Sequence, residues 1–109
     1  MGHLKDIQPG VQDLLKGRKL FLRELEAEGP GADVVIQVCW DDGMDEYGLP
    51  VGHVRRIALG GRFGRTVVYW TAHARTDPNH PAVNEVAVNL PDINQAVRAV
   101  VRRVPARYS

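Results

Sequence analysis

The sequence predicts an α+β domain: an antiparallel sheet of three to four strands, a C-terminal amphipathic helix packed on one face of it, and an N-terminal helical segment beside them. Three observations predict it. Apolar residues recur at helical spacing near the C-terminus, a β-branched run occupies the middle of the chain, and a glycine-rich link joins two further extended runs. With 109 residues, 44% of them apolar and 25% charged, the chain reads as a single domain over 1–109 rather than a disordered polymer.

The N-terminal third is the ambiguous part. Val11, Leu14, Leu15, Phe21, Leu22 and Leu25 roughly follow one helical stripe, so a single helix from Val11 to Leu25 is the first expectation. Gly17 interrupts it, and Lys16, Arg18 and Lys19 precede Glu24, Glu26 and Glu28, the reverse of what a helix dipole favours. The alternative is a short helix ending near Gly17, followed by a strand from Leu20 to Glu26.

Asp33 to Trp40 reads as the central strand, with Val34, Ile36, Val38 and Trp40 on one face and Val35, Gln37 and Cys39 on the other. A loop over Asp41 to Gly52 follows. Arg55 to Leu59 and Arg65 to His73 read as two strands of a hairpin joined by Gly60-Gly61-Arg62-Phe63-Gly64. A second loop, Arg75 to Ala82, leads to an edge strand from Glu85 to Leu90 with Val86, Val88 and Leu90 on one side. In the last element Ile93, Ala96, Val97, Val100, Val101 and Val104 form one stripe, with Asn94, Arg98, Arg102 and Arg103 opposite. Asp92 and Gln95 have capping-box spacing, and Pro105 stops the helix.

Fourteen Lys and Arg against thirteen Asp and Glu leave a formal charge of +1, too little for the whole molecule to steer a polyanion. Any attraction of that kind must be local. The single cysteine excludes an intramolecular disulfide and a thiolate-rich zinc site, which sets a cytoplasmic, reducing location as the expectation. No apolar run approaches the roughly 20 residues of a membrane span.

Asp41, Asp42, Asp45 and Glu46 place four carboxylates within six residues, directly after Trp40. The run lacks the spacing of a calcium loop, so a solvated turn or an acidic protein-binding loop is expected rather than a metal site. Tyr69 and Trp70 are strand neighbours and point to opposite faces, which makes one of them a candidate interface anchor. Trp40 and Trp70, with the four carboxylates, are therefore the candidate partner-binding residues. Arg98, Arg102, Arg103 and Arg107 are candidate phosphate contacts, although a solvated helix face is the first expectation for them. The glycine link leads into a strand, not a helix N-terminus, and so does not read as a phosphate loop. Among the histidines at 3, 53, 73 and 80, His73 lies in a strand and His80 in a turn, and no two have the spacing of a helical zinc pair. Cys39 and His73 would make a nucleophile and base only if the fold joined them.

The expected function is a small protein-binding module, such as an inhibitor, immunity-type or assembly subunit, acting through the acidic loop and nearby aromatics. A basic protein partner fits that loop best, homo-oligomerisation stays open, and no cofactor, metal or membrane partner is called for. A nucleic-acid-associated protein using the C-terminal arginines, and a small enzyme using Cys39 or a histidine, are the alternatives, and both rank lower because no recognisable module or catalytic constellation accompanies them.

Overall fold

A computed structural model describes residues 4–25, 34–43, 46, 48–60, 64 and 66–105. After a short 3₁₀ turn at Leu4–Asp6 the chain forms α1 (Pro9–Gly17), β1 (Leu20–Glu24), β2 (Val34–Trp40), β3 (Leu49–Gly60), β4 (Thr66–Ala74), β5 (Asn84–Leu90) and α2 (Ile93–Arg103). The strands make one antiparallel meander in the order β1-β2-β3-β4-β5. Both helices pack on the same face, where Val11, Leu15, Val97, Val100 and Val101 meet Leu20, Ile36, Val38, Val54, Ala72 and Ala74 in one buried core.

The fifth strand is β1, where the first expectation placed the second half of a helix. α1 opens with Pro9, whose missing N–H costs nothing at a helix start, and stops within two residues of Gly17. Lys19 takes a left-handed φ of 54° and turns the chain into β1. Pairing with β2 satisfies the backbone of Leu20 to Glu24 while Leu20 and Leu22 reach the core, and this tertiary gain overrides a helical pattern already weakened by Gly17. Glu26 lies outside the described residues.

β3 begins six residues before the expected strand, so the acidic loop ends at Gly48 rather than Gly52. Pro50 and Gly52 gave this stretch the look of a turn. Pro50 sits opposite Cys39 where the β2–β3 register slips, a position that needs no ladder donor. Gly52 is demanded by packing: a Cβ there would lie 2.6 Å from both the His73 carbonyl oxygen and Cγ1 of Val100. The absence of a side chain lets α2 press directly onto the sheet.

β5 is an edge strand, as its sequence suggested, but its faces differ from the simple alternation. Register slips between Trp70 and His73, together with a φ of 57° at Asn89, leave Val86, Ala87 and Leu90 against the core and Val88 46% exposed.

α2 follows its stripe closely. The Asp92 carboxylate accepts the backbone N–H of Gln95 at 3.0 Å, and the Gln95 side chain returns to the same carboxylate at 3.4 Å. Asn94 is the exception: expected among the solvated residues, it is 9% exposed. Its Oδ1 accepts the Gln8 N–H at 2.8 Å and its Nδ2 donates to the Asp6 carbonyl at 3.1 Å, tying the N-terminal turn to α2. At the other end of α2, the Arg18 guanidinium donates to the Val101 and Val104 carbonyls at 3.3 and 3.1 Å, satisfying groups a helix terminus leaves open and placing a cation at its negative end.

Candidate functional site

β3 and β4 outrun their neighbours. β2 pairs with β3 only as far as Arg56, and β5 pairs with β4 only from Trp70 onward. Among the described residues, Ile57–Gly60 and Thr66–Tyr69 therefore form a two-stranded ribbon with both outer edges unpaired, at one end of a molecule 48 Å long and 28 by 27 Å across. A strand edge without a neighbour presents a row of free N–H and C=O groups. The ribbon's side chains are Ile57, Ala58, Leu59, Thr66, Val67, Val68 and Tyr69, with no charge among them, and Leu59, Val67 and Val68 are 52%, 58% and 37% exposed. An isolated ribbon of this kind gains little by folding in water, so its apolar surface is unmatched by any cover among the described residues.

The acidic loop lies at the opposite end of β3. Asp41 and Glu46 are exposed and Asp42 is half-buried, while Asp45 falls outside the described residues. The Asp41 side chain accepts the Gly43 N–H at 3.0 Å in a tight turn. The loop closes at Gly48, whose φ of 65° suits glycine and where a Cβ would strike the Trp40 carbonyl and the Phe21 ring. Of the two candidate tryptophans, Trp40 is half-buried against the core. Trp70 is 5% exposed and belongs to the core itself, which leaves Tyr69 as the neighbour on the other face. Trp70 offers no surface to a partner.

Arg98, Arg102 and Arg103 all lie exposed on α2, and Arg98 and Arg102 flank a cleft with Ala87, Leu90, Gln95 and Ala99. Arg107 lies outside the described residues. Aromatic side chains do not interleave with these three arginines. An apolar groove of about 240 Å³ runs between the first turn, α1 and β1, lined by Leu4, Ile7, Leu15, Leu20, Phe21 and Leu22.

The face of the sheet without helices carries a feature not anticipated from the sequence. Arg23, Gln37, His53, His73 and Glu85 are direct cross-strand partners in succession, a polar row running through all five strands. Arg23 donates to the Gln37 side-chain oxygen at 2.6 Å. The His53 and His73 rings stack with centroids 4.5 Å apart and planes 15° from parallel, and Nε2 of His73 lies 3.8 Å from a Glu85 carboxylate oxygen. Burial, then the neighbouring His73 and Arg55, hold the His53 imidazole down to about 4 from its ordinary 6.5, so it is neutral near pH 7. A signal for this pairing does exist in the sequence: a hairpin that sets Gly60 opposite Thr66 necessarily sets His53 opposite His73.

Cys39 lies on the same face but is fully buried, and burial pushes its thiol up, with Arg23 only partly opposing. β3 separates Cys39 from His73, and Cys39 sits two residues along β2 from Gln37, the residue in line with His73, so the two are more than two strand spacings, roughly 10 Å, apart. They do not form a nucleophile and base. Among the described residues no three His, Cys, Asp or Glu side chains are arranged to hold a metal ion, and no helix is long and apolar enough to cross a membrane.

No protein-family model, no curated protein and no solved structure matches this chain.

Proposed function

We propose that this chain is a protein-binding module that takes up an extended segment of a partner protein along the β3–β4 ribbon. The observation that carries this reading is the run of exposed apolar side chains, Leu59, Val67 and Val68, on a ribbon whose two edges have no strand beside them among the described residues. Backbone pairing at such an edge supplies affinity, and the alternating apolar side chains supply selectivity. A partner that is itself a polypeptide matches both requirements, whereas a nucleic acid offers no strand to add. The acidic loop supports a second mode of engagement, because Asp41 and Glu46 stand exposed where a basic surface would feel them.

The two modes respond to different substitutions. Leu59→Ser with Val67→Ser removes apolar surface from the ribbon, while Asp41→Asn, Asp42→Asn, Asp45→Asn and Glu46→Gln neutralise the loop. Wild-type and variant proteins are used as bait, and association of the captured partner is timed at low and high salt. The ribbon variant is expected to dissociate at least about tenfold faster at unchanged melting temperature, since lost contacts act mainly on the off-rate. Slower association with a flattened salt dependence in the loop variant instead assigns the contact to the acidic loop. A partner bound identically by both variants removes both surfaces from the interface.

A further inference from the structure

We propose that the stacked His53–His73 pair is an acid-sensitive latch on the helix-free face, holding β3 against β4 while the His53 ring is neutral and releasing when that ring takes up a charge. The rings are direct cross-strand partners with centroids 4.5 Å apart, close enough that two imidazolium cations would repel strongly in a half-buried setting. The charged groups around them act unequally. From β5, a Glu85 carboxylate oxygen lies 3.8 Å from Nε2 of His73. From β3 itself, Arg55 opposes charge on His53, and from β1 the Arg23 guanidinium is turned to Gln37 of β2. Cys39, the remaining titratable group of β2 on this face, is a buried thiol and carries no charge at neutral or acid pH. Both helices lie on the other side of the sheet and contribute nothing to this face. A proton on His53 thus meets burial, His73 and Arg55 together.

The direction of the effect follows from proton counting. His53 in the folded chain binds its proton far less readily than in the unfolded chain, where it takes it up near 6.5. Stability is therefore full above that value and is lost as pH falls from 6.5 toward about 4. No metal or partner is needed for the response. The latch lies one rung from the end of the β3–β4 ladder, at the end away from the ribbon, so its release frays β3 and β4 from that end.

The test compares wild type with His53→Gln by denaturant unfolding at pH 7 and pH 5, and follows His53 by NMR titration in wild type and in His73→Gln. Between the two pH values the wild-type unfolding constant is expected to rise at least about tenfold more than that of His53→Gln, the fold-change that linkage gives for a histidine so displaced. The His53 midpoint should move upward in His73→Gln, where the neighbouring cation is gone. Amide exchange across β3 and β4 should quicken on acidification in wild type. Equal acid responses in wild type and His53→Gln would overturn the latch, as would a wild-type His53 midpoint close to 6.5. Should His53→Gln fail to fold, the titrations of wild type and His73→Gln decide alone.

Discussion

Gly52 and Gly17 are both glycines inside regular elements, and the structure gives them opposite roles. A Cβ at Gly52 would press on a backbone carbonyl of β4 and a Val100 methyl, neither of which can move without parting helix from sheet, whereas nothing lies within 4 Å of a Cβ at Gly17. Gly52→Ala is expected to cost about 2–4 kcal/mol in denaturant unfolding, and Gly17→Ala to be neutral or stabilising by about 0.5–1 kcal/mol. Equal responses at the two positions would show that the close approach of α2 to β3 is not tight. Sequence alone could not separate these residues, because a glycine required by a facing helix and a glycine at a helix end look identical until the helix is placed. Asn94 failed for the same reason: its polarity suggested solvent, and only the folded-back first turn supplies the backbone groups it binds. Trp70 was legible as one of an alternating pair with Tyr69, but which of the two faces lay under the helices was not.

At the scale of elements, α2 was readable because one stripe, one cap and one terminating proline agree with each other, and agreement between local signals is what makes an assignment sound. Val97→Asp or Val100→Asp places an unpaired charge at a position with no solvent exposure and is expected to unfold the domain, while Arg98→Ala should change stability by about 0.5 kcal/mol or less in the same unfolding assay. β2, the β3–β4 hairpin and the edge strand β5 were likewise visible from β-branched runs and the glycine link. β1 was legible only as the alternative to a longer helix, since Phe21, Leu22 and Leu25 suit a helical stripe as well as an alternating strand, and the choice was made by pairing with the next strand, β2. The ribbon and the polar row escaped for a shared reason. Each depends on where neighbouring strands end or which residues fall opposite, and both are properties of register rather than of any one segment.

Across the whole molecule, charge and apolar exposure are separated: carboxylates cluster where β2 turns into β3, and uncovered aliphatic side chains lie some dozen residues further along β3, at the far end of the longest strand. That separation lets the two proposed binding modes be tested without disturbing each other. The meander itself is local, since each strand pairs with the next. Its closure is not. The core is completed by α2, whose Asn94 clasps Asp6 and Gln8 and whose terminal carbonyls are held by Arg18, contacts between residues more than 80 positions apart. Without residues 93–104 the sheet would show part of the surface of Ile36, Val38, Val54, Ala72 and Ala74 to solvent. A chain ending at Leu90 should therefore bind a hydrophobic dye and sediment as aggregates, and adding the missing helix as a separate peptide should restore a monodisperse, dye-silent species. If the shortened chain stays monomeric and native-like by amide exchange, the sheet needs no such cover.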